Sequence, residues 1–126
     1  MSVPPAIDRD QLRARCLDDR EFIGQMLAVF REFAPQTLSR LRQSTESMAL
    51  GDARRYGHTL KGSAANLAAA GLAAVAANAE AAATAGDAAA LRVAVDAAES
   101  LMGQCLVEVE AILGELERHG PAPTRR

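Results

Sequence analysis

The stretch "LRVAVDAAESLMGQCLVEVEAILGEL", residues 91–116, decides the fold class of this sequence. Its apolar positions recur at alternating steps of four and three residues, the spacing of a helix face that packs against other helices. These positions are Leu91, Val95, Ala98, Met102, Cys105, Val109, Ile112 and Leu116. The pattern predicts a long amphipathic helix whose seam is covered by other helices.

The composition also favours an all-α fold. Aromatic residues make up 3% of the sequence and there is no tryptophan, whereas strands favour aromatic and β-branched side chains. Alanine, leucine, arginine and glutamate are abundant, and all four are good helix formers. A chain of 126 residues is expected to form one domain.

Helix start signals come early in the chain. Asp8 with Gln11 resembles a capping box and opens a short helix that ends near Cys16, and Asp18 with Glu21 does the same for a second, longer helix. The predicted apolar positions of the second helix are Met26, Phe30, Phe33, Leu38, Leu41 and Met48.

Proline and glycine predict where the later helices break. Pro35 is expected to kink or split the second helix near Phe33, because it removes a backbone donor and crowds the preceding turn. Gly51 with Asp52, the similar pair at 86–87, and Gly71 predict helix boundaries. The resulting helices cover about 52–70, 72–85 and 87–118.

Five helices with short connections predict an antiparallel four-helix bundle with a short extra N-terminal helix as a lid. An isolated coiled coil is the alternative, and the capped breaks argue against it. The proline-containing ends, residues 1–6 and 119–126, are expected to be a linker and a flexible tail around a domain at 7–118.

Charge and hydropathy exclude several classes of function. The net charge is −2 with no basic stripe, which gives no support to nucleic-acid binding. No run of 18 apolar residues is present, so we expect no membrane contact, and no signal peptide is recognisable. Cys16 and Cys105 match no metal-ligand spacing. Buried, reduced thiols in a cytoplasmic protein are the expectation.

The segment "YGHTLKGSAANLAAAG", residues 56–71, contains the candidate site. On a helical wheel His58 lies opposite the apolar positions Leu60 and Leu67, so its ring should face solvent. Its neighbours on that exposed face are Arg54, Lys61, Gly62, Ala65 and Ala69.

Gly62 stands where alanine would stabilise a helix by about 1 kcal/mol. Because helical side chains lean toward the N-terminus, a larger residue at this position would lean over His58. Gly62 therefore predicts access to the ring for a large partner. Lys61 is the one lysine among 14 basic residues, and it lies beside the histidine.

This set of residues fits phosphoryl transfer. Neutral imidazole is a good nucleophile near pH 7, and a lysine ammonium can meet the charge of a phosphoryl group. No metal-ligand set or phosphate-binding glycine loop accompanies His58. Another protein would therefore have to supply Mg²⁺ and a carboxylate.

The segment "HTLKGSAANL", residues 58–67, closely resembles the signature of histidine-containing phosphotransfer (HPt) domains, whose core pattern is H-x-x-K-G-[SA]. The two Gly-Asp pairs and "FREFAPQTLSRL" at 30–41 extend the resemblance over about residues 7–116. Gly57 departs from the family, in which alanine often precedes the histidine.

The resemblance implies a role for each residue of the motif. His58 would be the phosphoacceptor, Lys61 would stabilise the phosphoryl group and Gly62 would keep the histidine accessible. The residues expected to contact the partner are Arg54, Arg55, Ala65, Asn66 and Ala69.

The resemblance also implies a phosphoprotein of a two-component phosphorelay that is a carrier and not an enzyme. Its partners would be response-regulator receiver domains and a hybrid sensor kinase, and it would be a monomer without cofactor, Mg²⁺ being held by the receiver. It could be free-standing or the C-terminal domain of a hybrid sensor histidine kinase.

Two alternatives remain at this point. A helical adaptor could bind a receiver or kinase through the same face without carrying phosphate. A histidine kinase dimerisation domain also presents a histidine on a helix, but such domains usually place an acid after it, where this chain has Thr59. Metal or haem bundles rank lower, because His58 has no partner at ligand spacing.

Overall fold

The computed structural model describes residues 5–119, and every regular element in that part of the chain is an α-helix. The helices are α1 (Arg9–Arg15), α2 (Arg20–Glu46), α3 (Leu50–Asn66), α4 (Ala70–Ala85) and α5 (Ala88–His119). The predicted all-α fold with a short N-terminal helix is confirmed. Residues 1–4 of the predicted linker and 120–126 of the predicted tail lie outside the described residues.

The four long helices form the bundle. Helix α2 packs against α3 and α5, and α4 packs against the same two helices. Because the loops between consecutive helices are short, neighbours in sequence run antiparallel. The predicted seam of α5 is confirmed: its members are buried except Leu116, which is half-buried.

Helix α1 is fixed to the bundle at two places. The backbone N–H of Asp8 donates to the carbonyl of Ala68 at 2.9 Å, in the loop between α3 and α4. The Arg9 guanidinium pairs with Glu108 at 2.7 Å and with Glu115 at 2.8 Å, both on α5. The buried residues of this N-terminal region are Ile7, Leu12 and Cys16. Helix α1 therefore covers one end of the core.

The start of α2 differs from the prediction by one residue. Asp19, not Asp18, is its N-cap, and the Asp19 carboxylate accepts from the backbone N–H of Phe22 at 3.1 Å. Asp18 instead has a left-handed backbone, with φ of 58°. Aspartate tolerates this conformation better than most residues do. Asp18 therefore forms the turn and Asp19 caps the helix.

Pro35 does not split α2, which is helical along its whole length. Of the two outcomes predicted for Pro35, a kink or a split, the split is wrong. The neighbouring turns are held by burial of Ala34 and Leu38, and tertiary packing supplies most of the stability of a protein helix. Two of the apolar positions predicted for the second helix, Phe33 and Met48, do not belong to the buried core. Their exposed fractions are 52% and 46%.

Two helix boundaries lie earlier than the glycines predicted. The backbone turns left-handed at Met48, with φ of 58°, and at Ala68, with φ of 59°. Gly51 and Asp52 therefore lie in the first turn of α3, and Gly71 lies in the first turn of α4. The predicted boundaries at these residues are wrong, because ordinary L-residues adopt the strained turns.

The boundary between α4 and α5 is confirmed. Gly86 ends α4 in the left-handed conformation with φ of 72°, which glycine adopts without steric cost. The carboxylate of Asp87 then accepts from the backbone N–H of Ala90 at 3.0 Å and satisfies a free donor of the first turn of α5.

Candidate functional site

His58 lies in the middle of α3 with its side chain pointing to solvent. The exposed fraction of its side chain is 66%. The same helix buries Ala53, Leu60 and Ala64 against the rest of the bundle, and these residues set the rotation of α3. The predicted exposure of the histidine is confirmed.

Glu80 of α4 holds the His58 ring through one nitrogen. The Nδ1 atom of His58 lies 3.1 Å from Oε2 of Glu80. Since a carboxylate only accepts hydrogen bonds, the neutral ring donates Nδ1–H here, and the lone pair of the neutral ring resides on Nε2. Among residues 5–119 the ring makes no other hydrogen bond. The contact thus leaves Nε2 as the nucleophilic atom.

Lys61 completes the site from one turn further along α3. Its Nζ atom lies 3.0 Å from Oε1 of Glu80, so the two oxygens of one carboxylate contact both functional side chains. The hydrogen bond from Lys61 is the main cause that lowers the pKa of Glu80, and the His58 contact adds to it, while partial burial opposes both. Glu80 is therefore ionised at neutral pH.

The sequence reasoning missed Glu80 as a site residue. Its side chain is 22% exposed and reaches from α4 to α3. A sequence pattern could identify it only if the pairing of these two helices and their register were already known, because it stands 22 residues from His58. One feature of the sequence could have indicated Glu80. It is an isolated acid within an alanine-rich helix, on a face of small residues.

Gly62 is exposed, with open space around it. A Cβ atom built there would have no neighbour within 4 Å, other than its own helix backbone, in the described part of the chain. A methyl group at this position would therefore not touch the ring of His58. Only a side chain larger than alanine at this position could reach the ring. The absence of any side chain also allows a partner to approach the surface beside the ring.

The predicted partner-contacting residues divide into two groups. Arg54, Arg55, Ala65 and Asn66 are exposed on α3. Arg55 pairs with Asp52 at 2.9 Å, and its guanidinium lies 4.9 Å from the centre of the Tyr56 ring. Arg55 is thus held along the helix surface.

Ala69 does not belong to the exposed face, and its prediction as part of that face is wrong. Its exposed fraction is 0%. The helical wheel assumed that α3 continued to residue 70, but α3 ends at Asn66 and the chain turns at Ala68. Ala69 becomes the N-cap of α4 and packs into the core.

The described residues also bear on metal sites and membrane spans. Within residues 5–119, no group of three His, Cys, Asp or Glu side chains is placed to hold a metal ion. No helix in the same range is both long enough and apolar enough to cross a membrane.

Comparison with known proteins identifies the family of this chain. The model of the family described as the Hpt domain matches residues 25–119, a range that includes His58, Lys61, Gly62 and Glu80. No curated protein and no solved structure shows a significant match to the sequence. The family match covers well over half of the chain and agrees with the helical bundle. The chain therefore belongs to the Hpt domain family, whose members carry phosphoryl groups on a histidine in two-component phosphorelays.

Proposed function

We propose that His58 is the phosphoacceptor of this domain and that its Nε2 atom forms the bond to phosphorus. The observation that carries this proposal is the exposed imidazole held through Nδ1 by Glu80, with Lys61 bound to the same carboxylate. A nucleophile fixed in one tautomer by an adjacent acceptor is the usual arrangement of an activated histidine.

The proposed step transfers a phosphoryl group from the aspartyl phosphate of a receiver domain. The lone pair of Nε2 attacks phosphorus while the bond from phosphorus to the aspartyl oxygen breaks, and the receiver recovers its carboxylate. The ring gains positive charge and keeps its Nδ1 proton. The Nδ1–H group continues to donate a hydrogen bond to Glu80. The reverse step delivers the group to the aspartate of another receiver.

Lys61 and Gly62 would act on the incoming group and the incoming partner. The Lys61 ammonium is on a flexible side chain, so it can leave Glu80 for the phosphoryl oxygens and oppose their negative charge. The missing side chain at Gly62 lets the receiver approach the ring. Arg54, Arg55, Ala65 and Asn66 would form the surrounding contact surface.

The proposal extends to the partners and the setting of the domain. We propose that it receives the group from a hybrid sensor kinase or its receiver, and that Mg²⁺ is bound by the receiver while this chain binds no cofactor. It would act as a monomeric carrier without catalytic activity of its own. Two free, buried cysteines support a reducing compartment such as the cytoplasm.

The test is transfer of radioactive phosphate from a phosphorylated receiver domain to the purified chain. We expect label that resists base and is lost in acid, as phosphohistidine is, and no label on the His58→Gln variant. The His119→Gln variant removes the other histidine of the sequence and serves as the matched control, which should be labelled like the wild type. Label that persists on His58→Gln contradicts the proposal.

The same experiment separates the carrier from an adaptor. An adaptor would bind the receiver with equal affinity whether residue 58 is histidine or glutamine, and it would acquire no label. Measuring receiver affinity by calorimetry alongside the labelling therefore distinguishes the two functions, because the carrier requires transfer as well as binding.

A further inference from the structure

Gly57 is buried where α3 and α4 come closest to the site. A Cβ atom built on Gly57 would lie 3.1 Å from the backbone nitrogen of Glu80, 3.3 Å from its Cα and 3.4 Å from the carbonyl oxygen of Ala76. Ordinary contacts between carbon atoms are about 3.5–4.0 Å. All three neighbours are backbone atoms of α4, which cannot rotate away as the end of a side chain can.

The two closest atoms that such a methyl group would contact belong to Glu80, the residue that holds His58. Gly57 precedes His58 directly on α3, and its close neighbour on α4 is Glu80 itself. The contact between the two helices therefore sets the separation between the backbone that carries the imidazole and the backbone that carries the carboxylate.

The two hydrogen bonds of Glu80 would weaken if α3 and α4 moved further apart. They measure 3.1 Å to His58 and 3.0 Å to Lys61, and hydrogen bonds weaken quickly beyond about 3.2 Å. Moving α4 outward by a few tenths of an ångström to accept a methyl group lengthens both bonds unless the Glu80 side chain adjusts.

We propose that Gly57 is a positioning residue that keeps Glu80 within hydrogen-bond distance of His58 and thereby fixes the Nδ1–H tautomer of the ring. Gly57 touches neither the ring nor a phosphoryl group and acts through Glu80. The consequence for phosphoryl transfer rests on the proposed function, whereas the consequence for the tautomer does not.

Stability alone does not distinguish this role from ordinary packing. Replacing Gly57 by alanine improves the helix propensity of α3 and at the same time forces a close contact with α4, so the net change in the free energy of unfolding can have either sign. The informative measurement is the state of the His58 ring.

The tautomer is read from the two-bond proton–nitrogen NMR spectrum of uniformly nitrogen-15-labelled protein, with His119→Gln as the background to leave one histidine. In the parent chain the neutral His58 ring should carry its proton on Nδ1. In Gly57→Ala the population should shift toward the Nε2–H form, which free histidine prefers in water. Gly51→Ala, in the same helix with open space around it, is the matched control and should leave the tautomer unchanged.

The transfer rate supplies a second measurement. Gly57→Ala should slow phosphoryl transfer from a receiver about fivefold, the scale of one hydrogen bond, and Gly51→Ala should not. In a Glu80→Ala background, Gly57→Ala should have no further effect on tautomer or rate, because coupled residues give non-additive changes.

Two outcomes overturn the proposal. One is a parent chain in which the neutral ring is mainly in the Nε2–H form, a result that decides the matter even if Gly57→Ala fails to fold. The other is an equal effect of Gly57→Ala with and without Glu80. A parent chain that shows the Nδ1–H tautomer but receives no phosphoryl group would instead contradict the proposed function and leave the positioning role intact.

Discussion

Lys61 Nζ lies 3.0 Å from Oε1 of Glu80, so the cation beside the histidine already has a partner before a phosphoryl group arrives. A phosphoryl group on His58 would compete with Glu80 for this ammonium. The carboxylate therefore influences both the nucleophile and the residue proposed to stabilise the product.

The pairing makes the ionisation of Glu80 depend on Lys61. Because the Lys61 and His58 contacts lower the pKa of Glu80, they stabilise the folded state above the ordinary carboxyl pKa, and this contribution is lost as the pH falls through the lowered value. In Lys61→Met the pKa of Glu80 should rise. Carbon-13 NMR titration of the glutamate carboxyl groups measures the change. Arg54→Met removes a neighbouring exposed cation that makes no ion pair with Glu80, and should leave this pKa where it is in the parent chain.

Gly62→Ala should separate stability from function. The added methyl group meets open space and improves helix propensity, so the free energy of unfolding should rise by up to about 1 kcal/mol. Phosphoryl transfer should slow nonetheless if the receiver packs against this position. Urea denaturation and labelling kinetics measure the two effects.

Gly103→Ala provides the matched control for Gly62. Gly103 is exposed on α5 and also has open space around its Cβ position, so the same substitution should stabilise the chain without changing the transfer rate. Equal transfer rates for all three proteins would contradict an access role for Gly62.

Two glycines that follow the same sequence pattern should respond oppositely to alanine. Gly86→Ala should lower the free energy of unfolding by about 1–2 kcal/mol, because a Cβ atom is strained at φ of 72°. Gly51→Ala should raise it by up to about 1 kcal/mol, because Gly51 is helical. Thermal or urea denaturation checks both signs, and destabilisation by Gly51→Ala would restore the boundary that the sequence predicted.

Both cysteines should resist alkylation in the folded protein. Burial raises the pKa of the Cys105 thiol to about 11, and it also raises the pKa of Cys16. Since the thiolate is the reactive form, iodoacetamide at pH 8 should modify the native chain slowly and the urea-unfolded chain rapidly. Mass spectrometry counts the adducts, and fast modification of the native chain would contradict the burial of these residues.

Regular periodicity made most of the fold predictable. The seam of α5 and the exposed position of His58 follow from spacing alone, because a helix repeats its faces regularly. The cap at Asp8 and the boundary at Gly86 follow from residues whose chemistry matches their position.

The failures come from residues that adopt conformations they do not prefer. Met48 and Ala68 turn left-handed, while Gly51 and Gly71, a few residues later, lie within helices. Packing between distant parts of the chain offsets this local strain. Residue propensities describe only the local sequence and therefore cannot predict these turns. The error at Ala69 has the same origin. Its predicted exposure assumed that α3 continues to residue 70, whereas α3 ends at Asn66.

The Glu80 contact was not predictable for a different reason. It depends on the distance between two helices, which is too short to accommodate a Cβ atom at Gly57 without a shift. A helical wheel describes one helix at a time and contains no such distance.

The attachment of α1 also predicts how far the N-terminus can be shortened before the fold is weakened. The family match begins at residue 25, but Ile7, Leu12 and Cys16 belong to the core, and Asp8 holds the loop that follows the histidine helix. A fragment that begins at residue 25 would expose apolar surface at one end of the core. It would also lack the hydrogen bond that Asp8 donates to Ala68, in the loop after α3. We therefore expect the folding unit to begin no later than Ile7, well before the part of the chain that matches the family model.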